Sequence, residues 1–175
     1  MTLSRNCILG ASLLLAASAV TGCGSNAADP SASLDASVAA KVDFISVVVT
    51  KLKFTPGDSS QPPTKVCYAV FAGPDGFPND GTKVVASGCK AIDSTIVSFL
   101  VQDLPATTDG YAISLFQDMN GNEKLDTRGL LGLRIPDEPF GFTNNPNALR
   151  APTYTEVRIK PVKNGDKFTI NMRSL

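Results

Sequence analysis

Apolar and polar residues alternate with a period of two through most of the chain from residue 41 onward. Residues 42–54 are rich in β-branched side chains, and Phe44, Val48, Leu52 and Phe54 share one parity. Val66, Tyr68 and Val70 alternate with Cys67, Ala69 and Phe71. Residues 95–101 and 111–116 repeat the pattern, and residues 83–86 do so more weakly. Near the end, residues 155–160 place Val157 and Ile159 on one face. Residues 167–173 do the same with Phe168, Ile170 and Met172. Successive side chains of an extended chain point to opposite faces, so this alternation predicts strands with one buried face. No long stripe at helical spacing competes with it.

The breaks carry turn chemistry. Pro56-Gly57-Asp58, Pro74-Asp75-Gly76, Asn79-Asp80-Gly81, Asp109-Gly110 and Asn164-Gly165-Asp166 supply the backbone angles of tight turns. About seven short strands so punctuated predict an all-β fold: an antiparallel two-sheet sandwich, immunoglobulin-like or transthyretin-like. A small barrel is the alternative. Residues 121–152 depart from the pattern, with few strand signals and many Gly, Pro and Asn. A connection of that length inside one domain is usually functional or tied down by something.

Composition changes the picture mainly at the N-terminus. Arg5 is the single charged residue among positions 1–22, and residues 8–20 are almost all apolar or small. A basic start, a short apolar core and a small-residue exit predict a secretory signal peptide over residues 1–22. The run is too short for the about 20 apolar residues of a membrane-spanning helix. Its exit, Val20-Thr21-Gly22-Cys23, resembles the lipobox of bacterial lipoproteins, which implies acylation of Cys23 after cleavage. Gly24 and Ser25 follow without an Asp, which by that resemblance implies the outer membrane in a Gram-negative host. Residues 24–40 are small and polar and predict a flexible tether. Residues 41–175 then form a single β-sandwich domain.

Of four cysteines, Cys7 leaves with the signal and Cys23 takes the lipid. Cys67 and Cys89 remain in a compartment that permits oxidation and are expected to pair. The chain has 16 basic and 16 acidic residues and no His. With no net field and no basic stripe interleaved with aromatics, nucleic-acid binding is excluded. The absence of His removes Ser-His and Cys-His nucleophile activation, HExxH zinc sites and imidazole proton shuttles. No Gly-rich phosphate cradle is present.

The densest candidate chemistry lies in Asp118-Met-Asn120-Gly-Asn122-Glu-Lys-Leu-Asp126, directly after a predicted strand. Oxygen-bearing side chains stand at its first, third, fifth and ninth positions, the spacing by which EF-hand-type loops surround calcium. The main-chain carbonyl of Lys124 falls at the seventh. An EF-hand would place Gly at the sixth position and Glu at the twelfth, whereas this loop has Glu123 and Gly129 there. The missing acid is expected from Glu138, returning across the long connection, with Asp137 as the lesser choice. So few carboxylates suit the weak affinities of extracellular modules, Kd roughly 10⁻⁴ to 10⁻³ M. Magnesium fits less well, because it demands near-ideal octahedral geometry. The plainer reading is a polar turn, since Asn120-Gly121 is itself a hairpin dipeptide.

From residue 111 to 145 the motifs resemble those of the bacterial domain of unknown function 2141 family. The chain has Tyr111-Ala-Ile-Ser-Leu-Phe-Gln, the Asp118-x-Asn120-x-Asn122 loop, Pro136-Asp-Glu138, and Gly141-Phe142-Thr143-Asn144-Asn145. Thr143 stands where that family usually has Ser. The resemblance implies an exported all-β sandwich and brings no activity with it.

Two function classes follow. The first is a lipid-anchored, calcium-stabilised binding or structural module of the cell envelope, facing an envelope protein or glycan. The second is a carboxylate-based hydrolase with a structural calcium, for which Asp137 with Glu138, or Asp103 with Asp109, are the nominees. Phe140, Phe142 and Tyr154 border the loop, either as a recognition surface or as an apolar plug that fastens it.

Overall fold

A computed structural model describes residues 41–55, 64–130, 133–147, 150–160 and 162–175. The signal peptide, Cys23, the tether and the Pro56-Gly57-Asp58 turn predicted from sequence lie outside the described residues. The strands are β1 (Val42–Thr50), β2 (Lys65–Phe71), β3 (Ala86–Ala91), β4 (Val97–Leu104), β5 (Ala112–Asp118), β6 (Thr127–Leu130), β7 (Leu133–Pro136), β8 (Phe140–Phe142) and β9 (Lys167–Asn171). One sheet has the order β4-β1-β9, the second β3-β2-β5-β8, and β6 pairs with β7 in a separate ribbon. The fold is an all-β sandwich, antiparallel throughout its named pairs except β1–β9, which is parallel.

Inward side chains of both sheets make one apolar cluster. Ile45, Val47 and Val49 of β1, Val97 and Val101 of β4 and Ile170 of β9 join Val66 and Val70 of β2 and Ile113 and Leu115 of β5. Each such side chain, fully buried, contributes about 1.5–3 kcal/mol relative to exposure. Tyr111, at the entry to β5, donates its hydroxyl to the Pro105 carbonyl at 2.5 Å. Greek-key sandwiches use the same corner to fix a connection between sheets. Cys67 and Cys89 are direct partners across β2 and β3 and form a disulfide.

Five sequence expectations are corrected. The first predicted strand ends at Thr50, because Lys51 turns the chain with φ 60°. Its inward set is Val42, Ile45, Val47 and Val49, whereas Phe44 is exposed. Both β1 and β4 switch faces at the same level, beside Asp43 and Asp103, and Asp103 adopts φ 55°. Their register therefore survives while the parity changes. The weak strand at 83–86 is instead a 3-10 turn over Gly81–Lys83, capped by the Asp80 carboxylate on Thr82 N–H, and β3 begins only at Ala86.

Residues 155–160 are not a strand. Tyr154–Val157 is a one-turn helix, α1, that buries Tyr154 and Val157. The Thr153 N–H donates to Glu156 Oε2 at 2.6 Å, and the Thr153 hydroxyl to the same oxygen at 2.9 Å. That local bond selects a helix start over an extended chain. Ile159 keeps a single bridge to Tyr111. Finally, the stretch with few strand signals contains β6, β7 and β8, each too short to show a period.

Candidate functional site

The loop at 118–126 leaves the end of β5, whose core-facing side chains are Ile113, Leu115 and Gln117; Asp118 stands on the opposite face and is buried there as well. Asp118 is fully buried and answers four N–H groups. Its Oδ1 accepts from Asn120, Gly121 and Asn122 at 3.3, 2.6 and 3.2 Å, and its Oδ2 from Glu123 at 2.9 Å. Gly121 has φ 81°, and Glu123 itself adopts φ 58°. The sharp turn that an EF-hand assigns to Gly is thus made by a glutamate. Lys65 lies 2.5 Å from its carboxylate. The Lys65 ammonium is held above its ordinary value first by Glu123, and to a lesser degree by Asp118.

Asn120 and Asn122 turn their amide nitrogens toward Asp126, at 2.6 Å to Oδ2 from Asn120 and 3.1 Å to Oδ1 from Asn122. Their oxygens accept the N–H groups of Asn122 and Lys124, at 3.1 and 2.8 Å. The β6–β7 ribbon folds the chain back so that Thr127 pairs with Pro136. Glu138 returns with it and is 4% exposed. Its Oε1 accepts Met119 N–H at 2.7 Å and its Oε2 accepts Asp126 N–H at 3.1 Å. One carboxylate therefore ties both ends of the loop.

Asp118, Asn120, Asn122, Asp126 and Glu138 are thus connected in one hydrogen-bonded unit, and the Lys124 main chain lies within it. Among the described residues, however, no three His, Cys, Asp or Glu groups converge as a ready-made metal cluster. No ion pair among those residues reaches Asp118, Asp126 or Glu138. The donor chemistry still fits a hard cation. A carboxylate oxygen has two lone pairs, and Asp118 Oδ2 and both Glu138 oxygens each accept one N–H.

The other acidic nominees face elsewhere. Asp137 pairs with Arg128 at 2.9 Å while its neighbour Glu138 turns inward, and Asp103 pairs with Lys41 at 3.0 Å. Asp109 sits in the turn before β5, where its N–H donates to the Thr107 hydroxyl. The aromatics form a plug: Phe140 and Tyr154 are buried, and Phe77 packs edge-on against Phe71, Phe142 and Tyr154. The Tyr154 hydroxyl donates to Gly110 O at 2.6 Å, and burial pushes its pKa up to about 12.

The Thr143-Asn144-Asn145 run is a fastening that residue types alone did not disclose. Buried Thr143 exchanges bonds with Ile113, accepting its N–H on Oγ1 at 3.1 Å and donating N–H to its carbonyl at 3.0 Å. Asn144 and Asn145 take φ 60° and 47°. Asn tolerates that region better than most residues. Their amides reach Arg158 O and Thr169 O, and Asn145 Oδ1 accepts Asn171 N–H at 2.7 Å. The consecutive Asn pair was the available signal for a left-handed turn.

The family described as "Uncharacterized protein conserved in bacteria (DUF2141)" matches residues 58–169, more than half of the chain. Comparison with curated proteins and with solved structures gives no match.

Proposed function

The chain belongs to the bacterial DUF2141 family, and on that premise we propose that it is a lipid-anchored module of the cell envelope whose 118–138 region is ordered by calcium. The observation that carries the reading is the pair of buried carboxylates, Asp118 and Glu138, at the two ends of one acidic loop. Buried charge is ordinarily paired or metal-bound, and no cationic side chain bonds either group among the described residues. Asp118, Asp126 and Glu138 would supply negative charge to the ion. The amide oxygens of Asn120 and Asn122 and the Lys124 carbonyl would supply neutral oxygens. The ion takes over from the amide donors that now face Asp126 and draws the loop against the sandwich. The role is structural: it presents a fixed surface to an envelope protein or glycan.

Isothermal titration of the mature chain in detergent tests the site. One calcium is expected per chain, with Kd roughly 10⁻⁴ to 10⁻³ M, and binding is lost in Asp126→Ala. Absence of saturable heat through that range would remove the calcium reading. The anchor is tested separately by mass spectrometry of the N-terminal peptide, which is expected to carry acyl chains on Cys23 and to lose them in Cys23→Ser.

A further inference from the structure

A second polar site lies away from the acidic loop, at the open edge where the two sheets meet. There β8 meets the chain just past β9 through one bridge, Phe140 with Arg173. Gly141 makes the approach possible: a Cβ on it would stand 2.8 Å from Ile170 Cγ2 and 3.2 Å from Met172 Sδ. The edge leaves a pocket of about 250 Å³, lined among others by Lys51, Asn145, Asn147, Asn171 and Arg173. Among the described residues no acidic side chain lines it. Neither Lys51 nor Arg173 takes part in an ion pair among the described residues.

Arg173 is held on two sides. Its guanidinium stacks on the Phe140 ring, 4.9 Å from the centroid, and Nη1 donates to Pro146 O at 2.5 Å. Its Nη2 is buried and has no acceptor among the described residues. An unmet donor on a charged group is costly, and a guanidinium fork matches an oxyanion better than any neutral partner. Lys51 adds a second positive charge from a left-handed turn at the end of β1. The pocket is smaller than the ~300–1,000 Å³ of drug-sized sites, so it suits an end group and not a whole ligand.

We propose that this pocket binds an oxyanionic end group, a carboxylate or a phosphate, between the Arg173 fork and the Lys51 ammonium. Because Nη2 is shielded, binding turns the guanidinium slightly from Pro146 and gives Nη2 its acceptor. Asn147 and Asn171 at the rim complete the contacts to neutral oxygens.

The test is a ¹H–¹⁵N spectrum of the isotope-labelled full chain in detergent, titrated with acetate and, separately, with inorganic phosphate. Sodium chloride at matched ionic strength is the control. Saturable shifts at Lys51, Asn145 and Arg173 are expected, with little response to chloride. Lys51→Gln and Arg173→Gln should each weaken binding about tenfold, which is about 1.4 kcal/mol. Tighter binding of phosphate than acetate would identify a phosphoryl group, and the reverse a carboxylate. Lys51 is exposed, so its variant keeps the test intact if Arg173→Gln fails to fold. Shifts that do not saturate, that chloride reproduces, or that persist unchanged in folded Lys51→Gln would overturn the proposal.

Discussion

Gly110 and Glu138 illustrate how single residues hold this molecule. Gly110 has φ 85°, and a Cβ there would collide with the Ile159 carbonyl oxygen across the bridge to Tyr111. Gly110→Ala is therefore expected to cost about 1–3 kcal/mol or more, read as a lowered melting temperature. Glu138→Ala removes the acceptor of two N–H groups at once. Leaving them unanswered costs about 1–3 kcal/mol each if they stay dry. Chemical denaturation should show a loss of about 2–4 kcal/mol, with amide exchange fastest at Met119 and Asp126. An unchanged midpoint would mean that water replaces the carboxylate freely. At this scale the Asp118, Asn120, Asn122 and Asp126 spacing was visible in the sequence, and so was the return of Glu138. That Glu123 would accept a left-handed backbone was not, because its tolerance comes from Asp118 pulling its N–H inward.

At the scale of elements, alternation located β1, β2, β4, β5 and β9, whose buried positions form the core. It failed where a local bond outweighs the period, as at Thr153 and Glu156, and where strands of three or four residues show no period at all. Glu156 makes a prediction of its own. Arg150 first, then the Thr153 N–H and hydroxyl, hold its carboxyl down from 4.5 to about 2. A carboxyl depressed in the folded state stabilises it above the unfolded pKa, and that contribution is lost as pH falls through the folded one. The start of α1 should therefore loosen between about pH 4.5 and 2, and this pH response should be absent in Glu156→Gln. Melts from pH 6 to pH 2 (roughly, spanning both pKa values) compare the two. The disulfide across β2 and β3 closes a separation of 22 positions. Reduction, or Cys67→Ser with Cys89→Ser, should cost about 3 kcal/mol by the chain-entropy account. A reduced protein that melts with the oxidised one would show that β3 contributes little to the cooperative unit.

The domain is a sandwich that spends its regular structure on a core and its irregular chain at the two ends of β5, one excursion leaving from Asp118 and the other fastened at Tyr111 and Ile113. Both long excursions, 119–139 and 143–166, are pinned by side chains bonding backbone: the carboxylates of Asp118 and Glu138 in the first, the Thr143 hydroxyl and the Asn144 and Asn145 amides in the second. The acidic loop differs from the asparagine turn in gathering negative charge, and the calcium account rests on that difference. The direct test is a thermal melt of the full chain in detergent, in chelator and across calcium concentrations, with Asp118→Ala and Asp126→Ala alongside. At a hundred times Kd the ion should stabilise the fold by about 2.7 kcal/mol, a rise of roughly 10 °C for a domain of this size. A saturable rise that both substitutions abolish is the predicted result. A melting temperature unmoved through millimolar calcium would contradict the account and leave the loop a self-contained polar turn.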